Sequence, residues 1–267
     1  MIDIHSHILP GLDDGAQSIE ETLAMIRQLQ EAGFKTLIAT PHVIEGQGFL
    51  SPQEILTVTQ EVSDQVTRAG IPVQILPGAE NYIFPSMAKW ACEGKLLTLG
   101  NTGKYLMVEL PMLAIPRYTD QVFFELQVNG FTPILAHPER YRDLAEEPER
   151  LLEWARKGVL FQLDLRSMSG RYGPRSRRLA ELMLQSGLVH FIGSDAHGVA
   201  RSELAYQEAL ERVRGIVGEK KFQELVVGNA VEVVEGRTIQ DNREYCFKEE
   251  VQKKERRGFW GRLVGVL

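Results

Sequence analysis

Short apolar runs alternate with longer amphipathic segments along most of this chain, and this alternation constrains the fold more than any other feature of the sequence. The apolar runs are nearly continuous, which is typical of parallel strands buried on both faces. A segment with helical periodicity follows each run, so the pattern predicts a parallel sheet covered by helices. We count seven strand–helix units, whose strands are MIDIHSH, KTLIATPH, IPVQILPGAE, YLMVELP, TPILAHPER, VLFQLDL and VHFIGSDAH.

Helix start signals support this pattern. Ser18 and Ser51 each stand before a helical segment as predicted N-caps, and Pro52 occupies the first position of the second helix. Seven units in 267 residues favour an α/β fold of the TIM type, a (β/α)7 barrel with its functional site at the carboxyl ends of the strands. An open doubly wound sheet is the alternative.

Polar residues mark the ends of these strands. Six of the seven strands have, at or near their carboxyl ends, a histidine or a carboxylate that we take as a candidate. Because the carboxyl ends of barrel strands form one face, we expect these side chains to converge although they are far apart in the sequence. The candidates are His5, His7, Asp14, His42, Glu80, Glu109, His137, Asp195 and His197.

The spacing within two of these strands points to metal binding. His5 and His7 are two residues apart, as are Asp195 and His197, so each pair points to the same side of its strand. Imidazole and carboxylate together suit zinc, manganese, iron and related ions, and a divalent ion removes the cost of burying the acids. His190, inside the apolar run VHFIG, is interpreted as a structural histidine instead.

Composition narrows the function classes. The net charge is −6, which argues against nucleic-acid binding by the whole molecule. The two cysteines, Cys92 and Cys246, give neither a disulfide framework nor a thiolate metal cluster. The N-terminus does not resemble a signal peptide, and no run of roughly 18 apolar residues could span a membrane. We therefore expect a cytoplasmic protein.

Six motifs resemble the polymerase-and-histidinol-phosphatase (PHP) superfamily and, more narrowly, the bacterial manganese-dependent protein-tyrosine phosphatases of capsule and exopolysaccharide loci. In chain order they are MIDIHSHILPGLDDG, ATPH, LPGAE, VELP, AHPERY and GSDAH. The resemblance runs from Met1 to about Arg237. It implies a distorted seven-stranded barrel with three divalent metal ions, expected to be manganese, although zinc, iron, cobalt and magnesium suit the same donors.

The resemblance also implies which residues hold each ion. Asp13 is the alternative to Asp14 in the third set, and Asp3 is expected to be a structural or solvated acid. The implied sets are His5, His7, Glu80 and Asp195 for the first ion, Glu80, Glu109 and His137 for the second, and Asp14, His42 and His197 for the third.

The same resemblance implies hydrolysis of phosphotyrosine by a hydroxide held between the first two ions. The substrate would be a phosphotyrosine protein, namely a membrane-associated tyrosine kinase of capsule or exopolysaccharide assembly. One rival is a small-molecule phosphatase, such as a histidinol-phosphate phosphatase, and another is a non-catalytic PHP binding module. The mechanism of the cysteine-dependent phosphatases is excluded, because those enzymes use a Cys-x5-Arg loop and neither cysteine of this chain begins one.

Arginines are the candidates for binding phosphate, since a guanidinium group matches phosphate oxygens bidentately. Arg140, in HPER, is the first candidate, with a salt bridge to an acid such as Glu139 as the structural alternative. Arg201 is the second. Arg166 and Arg171 could add positive charge at the rim of the pocket.

The end of the chain differs from the rest, which divides it into a metallophosphatase barrel at residues 1–237 and an appendage at 238–267. Residues 248–267 contain six basic and three acidic residues, followed by an aromatic and apolar end. Such a segment can dock on a partner, or it can lie on an anionic membrane, which would place the protein at the inner face of the membrane. The alternative is a disordered end or one folded onto its own barrel.

Overall fold

The computed structural model describes residues 1–46, 50–200, 205–241, 243 and 245–247. Within them, short parallel strands alternate with helices, as the sequence predicts. The strands are β1 (Ile2–Ser6), β2 (Thr36–Ala39), β3 (His42–Val43), β4 (Gln74–Pro77), β5 (Glu80–Tyr82), β6 (Tyr105–Glu109), β7 (Thr132–Ala136), β8 (Leu160–Asp164) and β9 (Phe191–Gly193).

The helices begin where the sequence places their caps. Ser18 accepts a hydrogen bond from the Glu21 N–H, and Ser51 forms a reciprocal capping box with Glu54. Both N-cap predictions are therefore confirmed. The helices are α1 (Ile19–Glu31), α2 (Pro52–Arg68), α3 (Met87–Cys92), α4 (Thr119–Val128), α5 (Arg142–Glu146), α6 (Glu149–Arg156), α7 (Leu165–Met168), α8 (Gly173–Gln185), α9 (Ala205–Val217), α10 (Glu219–Gln223) and α11 (Asn229–Val234).

The strands form two parallel ladders, in the orders β1-β2-β4 and β3-β5-β6-β7-β8-β9. The second and third predicted strands are each interrupted, so that β3 continues the path of β2 and β5 continues that of β4. Prolines contribute to the breaks, because Pro41 and Pro77 cannot donate to a ladder. Gly78 is required at the second break, since a Cβ there would lie 2.8 Å from Ile38 Cγ2.

Backbone hydrogen bonds connect the first strand to the segment that follows the last. The Asp195 N–H donates to the His5 carbonyl at 2.9 Å, and the His7 N–H donates to the Ala196 carbonyl at 2.9 Å. The strands thus follow one another in a barrel-like order, distorted where β2 and β4 end. The predicted α/β class with parallel strands is confirmed.

The strands are buried on both faces. Consecutive residues such as Leu106 and Met107, or Ile134 and Leu135, belong to two different hydrophobic clusters. One cluster lies among the strands and contacts α11 through Ala230. Hydrophobic packing on both sides holds the strand ends, and the polar residues on them, in fixed positions.

Part of the predicted appendage packs against the barrel. Lys104 donates to the Thr238 hydroxyl at 2.5 Å, and Arg156 donates to the Tyr245 carbonyl at 2.9 Å. Residues 248–267, the basic and apolar end, lie outside the described residues. Every helix in the described residues is too short or too polar to span a membrane.

Candidate metal centre

The structure brings all nine candidate side chains into one cluster at the carboxyl ends of the strands. Glu80, the first residue of β5, lies at the centre of the cluster. Its carboxylate faces four imidazoles that come from different parts of the chain. The distances are 3.2 Å from Oε2 to His5 Nε2, 3.4 Å to His7 Nε2 and 3.1 Å to His42 Nδ1, and 2.9 Å from Oε1 to His137 Nε2.

His5 and His7 point the same ring nitrogen at the same place. Their Nε2 atoms are 3.1 Å apart, and both side chains are fully buried. The Nδ1 atom of His5 donates to Gln162 Oε1 at 2.8 Å, and that of His7 donates to Asp13 Oδ2 at 2.6 Å. With Nδ1 as the donor, the neutral form of each ring has a free lone pair on Nε2, as a metal-binding imidazole requires.

Two carboxylate oxygens at this place have no hydrogen-bond donor among the described residues. Asp195 Oδ1 lies 3.5 Å from His5 Nε2 and 3.4 Å from His7 Nε2, and Glu80 Oε2 faces the same nitrogens. Burying an anionic oxygen without a partner is costly, whereas a divalent cation satisfies the oxygens and the nitrogens together. These orphaned atoms fit a metal centre.

The possible ligand atoms form three overlapping groups. Within each group they lie within 4.8 Å of one another. The groups are His5, His7 and Glu80; His42, Glu80 and Glu109; and His7, Asp14, His42 and His197.

These groups overlap the sets implied by the resemblance but differ in three respects: the first lacks Asp195, the second has His42 in place of His137, and the third also includes His7. His42 reaches two groups, because its Nδ1 faces Glu80 while its Nε2 lies 3.4 Å from Asp14 Oδ1. His137 contacts Glu80 at 2.9 Å but lies 3.8 Å from Glu109 Oε1. Asp195 borders the first group through Oδ1. The assignment of each residue to an ion stays a prediction.

Asp13 and Asp14 have different positions in the structure. Asp13 accepts from His7 Nδ1, from the Gly15 N–H at 2.9 Å and from the His42 N–H at 3.1 Å, so its hydrogen bonds support two of the imidazoles. The Asp14 carboxylate instead faces the ring nitrogens of His42 and His197, each at 3.4 Å. This arrangement favours Asp14 as the ligand.

Two cluster residues have strained backbones. His137 has φ of 33° and Asp195 has φ of 46°, both in the left-handed region that residues other than glycine seldom adopt. The His137 N–H donates to Gln162 Oε1 at 3.4 Å, and the Asp195 N–H donates to the His5 carbonyl. Such strain persists only where the surroundings hold it, and it is characteristic of functional sites.

The charges in the cluster are strongly coupled. Burial disfavours a charged His5, but the carboxylates of Glu80 and Asp195 outweigh this and raise the pKa of His5 to about 9. Burial and the neighbouring Glu80 raise the pKa of Glu109 to about 8. Burial and Arg140 lower the pKa of His137 to about 4. Without a cation, the cluster therefore balances its carboxylates with protons, and a metal ion would compete for the same sites.

Arg140 lies at the edge of the cluster and pairs with Asp195, its Nη1 donating to Oδ2 at 2.6 Å. It does not pair with Glu139, whose buried carboxylate accepts from the Asp164 N–H and the Ser167 hydroxyl. Arg166 donates to the same oxygen of Asp195. Arg201, the second predicted phosphate ligand, lies outside the described residues.

Two supporting residues were not identified from the sequence, namely Gln162 and Asp164. Both lie on β8, where they are the polar positions of the run VLFQLDL. A polar side chain inside a strand buried on both faces needs a hydrogen-bond partner, so the polar positions of this run could have identified both residues.

Two other buried polar residues lie outside the cluster, as expected. His190 Nδ1 accepts from the Phe161 N–H at 3.0 Å, and its Nε2 faces Asp241 at 2.7 Å. Asp3 accepts from the N–H groups of His5 and Ser194. His190 and Asp3 therefore link separate segments of the fold through hydrogen bonds.

A barrel-like parallel α/β fold, with imidazoles and carboxylates gathered at the carboxyl ends of its strands, defines the class of this protein as a metal-dependent hydrolase. The chain belongs to the family described as "Capsular polysaccharide synthesis, CpsB/CapC", which matches residues 1–235. The family recognised from the sequence motifs is thereby confirmed.

This chain is similar to several named tyrosine-protein phosphatases. Tyrosine-protein phosphatase YwqE of Bacillus subtilis is 36% identical over 210 residues, which cover 79% of this chain and 82% of YwqE. Tyrosine-protein phosphatase CpsB of Streptococcus agalactiae is 28% identical over 245 residues, covering 90% of this chain and all of CpsB.

A solved structure is also similar. It comes from work on YwqE of Bacillus subtilis and CpsB of Streptococcus pneumoniae, described as "unique metal-dependent tyrosine phosphatases". It superimposes with a TM-score of 0.87 at 32% identity and covers 93% of this chain and 99% of the other.

Proposed function

We propose that this chain is a metal-dependent protein-tyrosine phosphatase. The observation that carries the proposal is the pair of buried carboxylate oxygens, Glu80 Oε2 and Asp195 Oδ1, which face imidazole nitrogens without a hydrogen-bond donor. The similarity to YwqE and CpsB, which are named tyrosine-protein phosphatases, supports the choice of substrate.

We further propose that the cluster holds three divalent ions, with manganese as the expected metal. His5, His7, Glu80 and Asp195 would hold the first ion. Glu80 would be shared with the second, which also takes Glu109 and His137, and Asp14, His42 and His197 would hold the third. The three overlapping groups of ligand atoms support this number.

Bound ions would supply water activated near neutral pH and positive charge for the phosphate oxygens. The chain's own residues provide the rest of the chemistry. Gln162 and Asp13 fix the tautomers of His5 and His7, so that the neutral form of each ring presents an unprotonated Nε2 to an ion. Arg140, with its side chain 20% exposed, is positioned to bind phosphate at the edge of the cluster.

A phosphotyrosine substrate suits this arrangement. Its leaving group is a phenolate, whose conjugate acid has a pKa of ~10, so departure needs little help from a general acid. Water attacks phosphorus in line, the bond from phosphorus to the phenolic oxygen breaks, and inorganic phosphate and tyrosine are the products.

We also propose where the enzyme acts. The expected substrate is the phosphotyrosine segment of a membrane-associated kinase of capsule or exopolysaccharide assembly, and the expected location is the cytoplasm, at the inner face of the membrane. The family's link to capsular polysaccharide synthesis supports this substrate. The predicted membrane contact falls on residues 248–267, outside the described part of the chain.

A direct comparison of substrates tests the function. The purified full chain with Mn²⁺ should release phosphate from a phosphotyrosine peptide faster than from histidinol phosphate or a phosphoserine peptide. Asp195→Asn should abolish release, whereas Asp64→Asn, a matched change on the exposed side of α2, should leave it unaltered. A preference for histidinol phosphate would contradict the proposed substrate, and full activity of Asp195→Asn would contradict the proposed site.

A further inference from the structure

Two guanidinium groups converge on one carboxylate oxygen beside the metal centre. Arg140 Nη1 and Arg166 Nη2 both donate to Asp195 Oδ2. The two side chains are 20% and 17% exposed, whereas that of Asp195 is 1% exposed. A pair of positive charges therefore stands at the boundary between the buried cluster and solvent.

An aromatic ring holds this pair together. The guanidinium carbon of Arg140 lies 4.3 Å from the centre of the Tyr172 ring, and that of Arg166 lies 5.4 Å from it. Cations at these distances are attracted by the negative face of the ring, which offsets part of the repulsion between them. Tyr172 thus keeps two like charges side by side.

The position of Arg166 is also fixed from the backbone. Asp164 caps the short helix α7, and its Oδ1 accepts from the Arg166 N–H at 2.7 Å and from Arg166 Nε at 3.4 Å. A side chain held at its base, along its length and at its tip loses little freedom when it binds a ligand.

We propose that Arg166 acts with Arg140 as a two-arginine clamp for the phosphoryl group of the substrate and for inorganic phosphate, with Tyr172 as a positioning residue. The proposal rests on the proposed phosphatase function and adds a second phosphate-binding residue to it. Arg166 lies in the segment LDLRSMSGRYG, outside the six motifs that identify the family.

The donors of the pair support this role. Each guanidinium group has five N–H donors. Among the described residues, Asp195 accepts from one donor of Arg140, and Asp195 and Asp164 together accept from two donors of Arg166. The remaining donors can serve an anion with several oxygens. A planar fork matches phosphate bidentately, which a lysine cannot do.

The alternative is that Arg166 only supports Asp195 as a metal ligand. Metal content separates the two roles, because a support acts on the ion and a phosphate ligand acts on the anion. The test uses the full chain loaded with Mn²⁺. Calorimetry measures binding of inorganic phosphate, elemental analysis measures bound manganese, and turnover of a phosphotyrosine peptide gives KM and kcat.

Arg166→Gln should weaken phosphate binding and raise KM by about 10-fold or more, with bound manganese unchanged. Arg166→Lys should show a smaller loss, since it keeps the charge without the fork. Tyr172→Phe should match the unmodified chain, and Tyr172→Leu should lose part of the affinity. Arg178→Gln, which changes an exposed arginine on α8, is the matched control and should have no effect.

Phosphate affinity within twofold of the unmodified chain in Arg166→Gln would overturn the proposal, as would loss of manganese from that variant. If Arg166→Gln does not fold, Arg166→Lys decides, and unchanged phosphate affinity there would overturn the clamp. Arg166-dependent phosphate binding in a chain that prefers histidinol phosphate would support the clamp while contradicting the proposed substrate.

Discussion

Replacement of Gln162 by leucine should separate metal affinity from stability. Gln162 Oε1 accepts from His5 Nδ1 at 2.8 Å and from the His137 N–H at 3.4 Å, while its Nε2 is buried with no acceptor among the described residues. Leucine has a similar size and no polar atoms. The change therefore removes one unsatisfied donor and creates another at His5 Nδ1, and it also removes the longer, weaker hydrogen bond from the His137 N–H.

The two effects on folding oppose each other. An unsatisfied buried polar group costs about 1–3 kcal/mol, so losing the amide and leaving His5 Nδ1 without an acceptor should largely cancel, and the weak hydrogen bond from the His137 N–H is the remaining loss. We expect the free energy of unfolding of the metal-free chain to fall by about 1 kcal/mol.

Metal affinity should respond much more strongly. Without the acceptor at Nδ1, the proton of His5 can move to Nε2, the atom that faces Glu80 and Asp195. Loss of such a supporting hydrogen bond lowers metal affinity by about 10–100-fold. Titration of the EDTA-treated chain with Mn²⁺ measures the affinity, and urea unfolding in EDTA measures the stability.

Gln162→Glu is the matched control, because it keeps an acceptor at the same place and should retain more of the affinity than leucine does. Manganese affinity of Gln162→Leu within about twofold of the unmodified chain would refute the reasoning. An equal loss in both variants would also refute it, since the acceptor would then be irrelevant.

Further outcomes can be measured on the same protein. His5→Ala and Asp195→Ala should each lose nearly all release of phosphate from a phosphotyrosine peptide; full retention in both would contradict the metal mechanism. The raised pKa of His5, about 9 in the folded metal-free chain, lies above its unfolded value of about 6.5. The stabilisation from charged His5 should therefore be complete below about pH 6.5 and be lost as the pH rises through 9, which urea unfolding in EDTA can follow. Manganese affinity should change in the opposite direction and increase over the same range, because protons compete for His5; titrations that show no such increase would contradict this coupling. Gly15→Ala should destabilise the fold by about 1–3 kcal/mol in thermal unfolding, since a Cβ there would lie 2.1 Å from the His7 carbonyl oxygen, and an unchanged melting temperature would show that the loop can relax.

Local patterns in the sequence were enough to predict most of the architecture and the set of candidate residues. Hydrophobic periodicity and N-cap residue types depend only on residues close together in the sequence. The buried strands and the N-caps Ser18 and Ser51 could therefore be predicted from the sequence. His5 and Glu109 could be picked out because each carries a polar side chain at the end of an apolar run. The motif resemblance added the family and the expected ions.

Only the tertiary structure decided which atoms meet. The break at Gly78 depends on contact with Ile38, forty residues earlier in the chain, and no local pattern marks that contact. Asp13 and Asp14 are adjacent acids in the sequence, and their roles separate only because the loop turns one toward His7 Nδ1 and the other toward His42. The local pattern fixes which side chains are available, whereas distances between ligand atoms depend on how distant strand ends pack together.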